Sequence, residues 1–205
     1  MSGHVAAIVD GVAVPVDVVD AREARLRSTT LAAALPRPGT SEGRQLRRWL
    51  IQLLVTERVI AAEAAARGLT AVAAPTEDEL LPDMAARLDI GSVAASALAD
   101  PLARALFTHI TAAVDVSEAD VVGYHARNPM RFVARPADHR GWHRRAADAP
   151  PLDDVRSAIT EHLRGAARRR AFRLWLDARR AELVELAPGY EHPGDPRQPD
   201  NTHKH

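Results

Sequence analysis

The chain has 205 residues, of which 46% are hydrophobic, so it is long enough and apolar enough to bury a core of its own. It contains no cysteine, which excludes a disulfide framework, a thiolate metal site and a cysteine nucleophile. The 27 Lys and Arg residues equal the 27 Asp and Glu residues, so no overall field attracts nucleic acid or an anionic membrane.

A β-hairpin followed by a helix is predicted at the N-terminus. Two short β-branched runs flank the Asp10-Gly11 pair, which favours a tight two-residue turn. Pro15 ends the second run, because proline donates no hydrogen bond to a sheet. A helix is predicted to follow over residues 16–34.

The N-terminus does not resemble a signal peptide. It has no basic region, and its apolar runs are short. No stretch of the chain approaches the 18 or so uninterrupted apolar residues of a membrane span. We therefore expect a cytoplasmic protein that makes no membrane contact.

Five further helices are predicted from apolar periodicity and capping residues. The clearest has apolar residues three and four positions apart and ends before Gly68, a residue that commonly follows a helix. Three others begin at capping residues. The last would be about 50 Å long, so we expect it to span the other helices. The predicted ranges are 41–67, 76–88, 100–113, 117–127 and 152–186.

Charge is distributed unevenly along the chain. Residues 75–120 hold nine acidic residues and two arginines, whereas residues 140–180 hold eleven arginines and five acidic residues. We expect the two segments to face each other in the fold. The alternative is a basic surface for an anionic partner, but a nucleic-acid ligand is disfavoured because Arg-rich helix faces are usually solvated or paired with acids.

Four segments, taken in order, carry a family resemblance. They are the hairpin 5–15, the long helix 47–69 with its ending Glu-Ala-Ala-Ala-Arg-Gly-Leu, the segment 116–132 that contains Tyr124, Asn128 and Phe132, and the last helix, 152–184. Together they resemble the SurA/PrsA-type chaperone and peptidyl-prolyl isomerase family, with its N-terminal hairpin and its returning C-terminal helix. The resemblance covers most of residues 5–186.

This resemblance implies a mainly α fold: a SurA-N-like helical domain over 1–187 with a short N-terminal β-hairpin and a long C-terminal helix. Residues 133–151 would be a loop in place of the parvulin isomerase domain, for which they are far too few. An irregular Pro/His/Asp-rich tail would follow over 188–205. The resemblance therefore implies a non-catalytic, chaperone-like protein that binds a client peptide or a partner protein in a helical cradle. Separately from the resemblance, a homodimer is a candidate assembly.

Candidate partner-binding residues come from the loop and from the helix before it. Trp142 is a large apolar side chain in a polar, basic segment, where no core accounts for it. The full predicted set is Trp142, Arg140, Arg144, Tyr124 and Phe132.

An alternative interpretation is a small metalloprotein, either a metalloenzyme or a metallochaperone. The C-terminal tail concentrates imidazole and carboxylate groups, which are good ligands for Zn²⁺, Ni²⁺ or Cu²⁺. Two loop histidines could join them. The predicted ligands are His192, Asp195, His203 and His205, with His139 and His143 as the additional pair; no other cofactor is indicated.

Residues 39–43 match the G-x-S-x-G pattern of a hydrolase or acyltransferase nucleophile. That site requires a strand immediately before the serine. Here Pro36 and Pro38 precede it, and no strand pattern is present. We therefore predict that Ser41 is a helix N-cap and that the motif marks no catalytic site.

Overall fold

The computed structural model describes residues 4–132 and 149–190. In this part of the chain the fold is mainly helical, with a short N-terminal antiparallel strand pair and a long C-terminal helix, as predicted. Most of the predicted loop 133–151 and of the predicted tail 188–205 lies outside these ranges. Among the described residues, no helix combines the length and the apolar character that crossing a membrane would require.

A three-stranded antiparallel sheet brings the N-terminal hairpin together with the end of the last helix. Strands β1 (Val5–Val9) and β2 (Val12–Pro15) form the predicted hairpin. Its turn residues Asp10 and Gly11 have φ angles of 50° and 74°, the positive values that a two-residue hairpin turn requires. Strand β3 (Val184–Leu186) pairs with the other edge of β1. The sequence predicts helix for β3, which is wrong because strand pairing overrides the local apolar spacing.

Helix α1 (Val16–Arg27) is shorter than predicted, and a separate 3-10 helix (Thr30–Ala34) follows it. Between them, the hydroxyls of Ser28 and Thr29 donate to carbonyl oxygens of the last turn of α1, at 2.8 and 2.7 Å. Such side-chain bonds to the backbone compete with helix continuation. The prediction of one helix to residue 34 is therefore wrong.

Helix α2 (Ser41–Ala66) lies where its apolar periodicity predicts it. Its N-cap is Thr40 and not the predicted Ser41, because the Thr40 hydroxyl accepts a hydrogen bond from the Gly43 N–H at 3.1 Å. A Cβ atom on Gly43 would lie 2.3 Å from the carbonyl oxygen of Arg37. This glycine thus lets the preceding loop pass close to the helix, and the G-x-S-x-G match is a loop-to-helix junction.

Three short helices occupy the region where one helix and a linker are predicted. Helix α3 (Glu77–Leu80) begins with the predicted capping box, but Pro82 ends it because the residue before a proline avoids helical backbone angles. Helix α4 (Met84–Ile90) restarts with Asp83 as its N-cap. Helix α5 (Ser92–Ala97) follows after one glycine; its small residues carry no apolar stripe, so periodicity does not predict it.

Helices α6 (Pro101–Ile110) and α7 (Glu118–Arg127) begin at the predicted caps. The Asp100 carboxylate accepts a hydrogen bond from the first turn of α6 at 2.8 Å. Ser117 and Asp120 form a capping box at the start of α7. Both caps satisfy backbone N–H groups that the helices themselves leave unpaired.

Helix α8 (Leu152–Leu183) has 32 residues, which makes it about 48 Å long. It joins two separate apolar cores. Its C-terminal half packs through Phe172 and Leu176 into the main core around α2, whereas its N-terminal half packs through Val155 and Ile159 against α7. The helix therefore spans the molecule, as its predicted length suggested.

The acidic and basic segments face each other, as predicted. Arg156 of α8 pairs with Glu118 of α7, and Arg164 pairs with Asp115 at 2.7 Å. These pairs are largely exposed, so each contributes little to stability. They do neutralise part of the basic segment, which favours internal pairing over an anionic partner.

Candidate functional site

A cleft of about 570 Å³ lies between α4 and the middle of α8. We call it the α4–α8 cleft. It is located where α8 passes from the α7 core to the main core. Residues from α3 and from the turn after α7 complete its walls.

The floor of the α4–α8 cleft is made of small residues. Because these side chains end at or before Cβ, an incoming backbone could approach both helices closely. A Cβ atom on Gly165 would already lie 3.2 Å from Nη1 of Arg169. The lining includes five such small residues, of which Ala86, Gly165 and Ala166 are buried or half-buried and form the floor, while Ala85 and Ala158 are exposed at its edges.

Arg169 is the most buried charged group of the cleft, with 8% of its surface exposed. Its Nε donates to Oδ2 of Asp89 at 3.2 Å, and its Nη1 donates to the carbonyl oxygen of Leu80 at 3.4 Å. These bonds tie α8 to α3 and to α4. A buried guanidinium needs such partners, because an unpaired charge is costly in the interior.

Carboxylates outnumber cations along the rim. Asp83 also caps α4, where it accepts a hydrogen bond from the Ala86 N–H at 2.7 Å. Arg131 lies on the turn that follows α7 and brings a second guanidinium to the rim. The acidic members are Glu79, Asp83, Asp89 and Glu161.

His162 of α8 lies at the α7 end of the cleft, within an aromatic cluster. Its ring centroid is 5.4 Å from that of Tyr124 and 6.1 Å from that of Phe132. Burial lowers the pKa of His162, and the positive charges of Arg131 and Arg169 lower it further, while Asp83 opposes them. The lowered pKa favours the neutral imidazole, which can both donate and accept a hydrogen bond.

This electrostatic environment leads to a testable result. Arg131→Gln should raise the pKa of His162 towards its ordinary value, because it removes a nearby positive charge. Asp83→Asn should lower the same pKa further. Proton NMR of the His162 ring across a pH series measures both shifts, with Arg170→Gln on the exposed side of α8 as the control. Identical His162 titrations in all four proteins would show that these charges do not act on the ring.

The arrangement is suited to binding. It offers hydrogen-bond donors, acceptors and both signs of charge above an apolar floor. The thirteen described residues that line the cleft carry no hydroxyl, thiol or primary amine, so the polar chemistry of this lining is that of carboxylates, guanidinium groups and one imidazole. Groups of this kind recognise the amides and charges of a polypeptide.

Two of the predicted partner-binding residues lie beside this cleft. The rings of Tyr124 and Phe132 are 6.3 Å apart and pack around His162, in the core shared by α7 and α8. Their packing gives both residues a structural role there. The remaining three predicted contacts lie outside the described residues: Trp142, Arg140 and Arg144.

The predicted metal ligands all lie outside the described residues, so the metal interpretation stays a prediction. Within residues 4–132 and 149–190, no group of three or more His, Asp or Glu side chains is placed to hold a metal ion. The ligands concerned are His192, Asp195, His203, His205, His139 and His143.

Sequence reasoning missed the cleft residues His162, Arg169 and Asp89. A signal was present in α8, where Arg169 stands three residues before the buried Phe172 and so occupies an inward position of the helix. Gly165 and Ala166 precede it and leave room on the same side. The partner of Arg169, Asp89, could not be identified, because the sequence predicted one helix over 76–88. The structure instead has α3 and α4, and Asp89 lies in α4.

Comparison with known proteins gives one match. The model of a family of unknown function (DUF7158) matches residues 5–42, which cover β1, β2, α1, the 3-10 helix and the first residues of α2. No curated protein and no solved structure matches the chain significantly. The match ends well before the residues that line the α4–α8 cleft.

Proposed function

We propose that this chain is a non-catalytic, chaperone-like binding protein that holds a segment of a client or partner polypeptide in the α4–α8 cleft. The observation that carries this proposal is the cleft itself: about 570 Å³, with a floor of alanine and glycine between charged walls. A small-residue floor admits a backbone, while the rim supplies partners for its amides and side chains.

The order of the elements supports the proposed SurA-like relationship. A hairpin, a long helix, the α7 segment and a long returning helix follow one another as the resemblance implies. On either side of the proposed isomerase deletion, Phe132 and Leu152 pack against the same small core. Nε2 of His125 also lies 3.0 Å from the carbonyl oxygen of Pro150. The two chain ends between which the extra domain would be inserted therefore pack against the same part of the fold.

A cytoplasmic location is part of this proposal. The apolar N-terminal run belongs to the folded core, because it forms the central strand β1 and its residues Ala6 and Ala7 are at most 1% exposed. Cell fractionation with an antibody against the protein tests the location directly.

The binding proposal predicts a specific loss of affinity. Ala166→Trp places a large ring on the cleft floor, so we expect it to weaken binding of a fluorescent peptide by at least about tenfold, the equivalent of about 1.4 kcal/mol. The peptides would first be selected on an array of short sequences of varied composition. Fluorescence anisotropy then measures the affinity of each protein.

The matched control is Ala178→Trp, which adds the same ring to an exposed position of α8 away from the cleft. It should bind as the unmodified protein does. If no peptide on the array binds, or if both tryptophan variants bind equally well, the α4–α8 cleft is not the binding site that we propose.

A further inference from the structure

A second cavity, of about 280 Å³, lies between the α4–α5 junction and the C-terminal half of α8. Its polar side chains are Ser92 from α5 and Arg173, Asp177 and Arg180 from α8. We call it the Arg173–Arg180 pocket. It does not share a lining residue with the α4–α8 cleft.

Arg180 is positioned by an amide and not by a carboxylate. Its Nη2 donates to Oε1 of Gln52 in α2, and its Nε is buried and has no hydrogen-bond partner in the described residues. Gln52 is 1% exposed and donates to the Tyr190 carbonyl oxygen at 3.3 Å, so its own orientation is defined. Burial lowers the pKa of Arg180 because it removes the guanidinium from water.

The second guanidinium of the pocket, that of Arg173, also has no ion-pair partner within residues 4–132 and 149–190. Nη1 of Arg173 donates to the carbonyl oxygen of Asp89 at 3.0 Å, and no carboxylate of the described chain forms an ion pair with it. Other arginines of α8 do have carboxylate partners. These paired residues are Arg156, Arg164, Arg169 and Arg179.

Two further groups of the pocket affect what it could bind. The Ser92 hydroxyl accepts a hydrogen bond from Nε1 of Trp49 at 3.3 Å, which leaves its own hydrogen free to donate. Asp177 is exposed and forms no ion pair with the described residues, although its charge acts on Arg180. The pocket therefore has two cations and a hydroxyl donor against one solvated carboxylate.

We propose that the Arg173–Arg180 pocket binds one oxyanion group, a phosphate or a carboxylate of a small ligand, between the two guanidinium groups and the Ser92 hydroxyl. Guanidinium groups bind both kinds of oxyanion through paired N–H donors. The anion would be a direct partner for Arg180, which forms no ion pair among the described residues and has only the solvated Asp177 carboxylate nearby. This site goes beyond the proposed function, because it is a different cavity and does not depend on peptide binding.

The test follows the Nε–Hε NMR signal of Arg180 in ¹⁵N-labelled protein. Sodium phosphate and sodium acetate are titrated separately, with sodium chloride keeping the ionic strength constant. We expect a saturable shift, and the salt that binds more tightly identifies the oxyanion. Arg173→Gln should weaken that binding by about tenfold, whereas Asp177→Asn should tighten it by about threefold because a repulsive charge is removed.

Arg170→Gln is the matched control, since it removes the same charge from an exposed position of α8 outside the pocket. Arg173 is exposed as well, so its replacement should leave the thermal midpoint unchanged without added anion. A shift that does not saturate, equal binding by Arg173→Gln and Arg170→Gln, or weaker binding by Asp177→Asn would overturn the proposal.

Discussion

Phe172→Ala should lower the free energy of unfolding by about 4 kcal/mol, a typical loss for a fully buried phenylalanine. Phe172 is 0% exposed. Its ring centroid lies 5.0 Å from that of Phe107 in α6 and 5.5 Å from that of Trp175. The substitution removes these ring contacts and leaves a cavity where α8 packs against the rest of the main core. Urea unfolding followed by circular dichroism measures the change.

Leu174→Ala is the matched control on the same helix. Leu174 is 56% exposed, so its truncation should change the free energy of unfolding by less than about 0.5 kcal/mol. If Phe172→Ala were no more destabilising than this control, the C-terminal half of α8 would not be packed in the main core as described. Its pairing with the N-terminal hairpin through β3 would then be in doubt as well.

The parts of the fold that the sequence predicted are those with strong local signals. The Asp10-Gly11 turn, the apolar stripe of α2 and the capping boxes at Thr76 and Ser117 all act within a few residues. Such signals define where an element begins and which face it buries. They were enough to predict a mainly helical protein with an N-terminal hairpin.

The elements that the sequence did not predict depend on distant contacts or on weak patterns. Strand β3 exists because Val184–Leu186 meets β1 from the opposite end of the chain. Helix α5 is a run of small residues that gains its stability from packing on α2 and α4. The end of α1 was missed for a local reason, since the side chains of Ser28 and Thr29 compete for the carbonyl oxygens of its last turn.

The candidate site was largely hidden for the same reason. Its walls come from α3, α4 and α8, and the two sides meet only after α8 has packed on both cores. The sequence showed that an acidic segment and a basic segment could pair, but it did not show which arginine would be buried. Arg169 with Asp89 becomes part of the cleft, whereas Arg164 with Asp115 stays on the surface.

Glu63→Gln should lower the free energy of unfolding by about 2 kcal/mol at pH 7, in the range measured for hydrogen bonds to charged groups. Glu63 of α2 is 5% exposed, and its Oε1 accepts hydrogen bonds from Nε and Nη2 of Arg179 at 2.8 and 2.6 Å. Its Oε2 accepts one from Arg67. The carboxylate thereby links α2 to α8, and glutamine can accept some of these bonds but brings no charge.

The same variant should show a defined pH dependence. Burial alone would raise the pKa of the Glu63 carboxyl, but the hydrogen bonds from Arg179 and Arg67 outweigh it and hold the pKa below its usual value of 4.5. A carboxyl with a lowered pKa in the folded state stabilises the protein above the unfolded-state value, and this contribution disappears as the pH falls through the folded-state pKa. The difference between the two proteins should therefore be constant above about pH 5.5 and shrink in more acidic solution.

Urea unfolding at a series of pH values measures this difference. The control is Glu161→Gln, which removes an exposed carboxylate from α8 while keeping a residue of similar helix propensity. Its effect should stay within about 0.5 kcal/mol throughout. A Glu63→Gln penalty that persisted undiminished in acid would mean that the glutamine disturbs packing, and that the charge on Glu63 is not what joins α2 to α8.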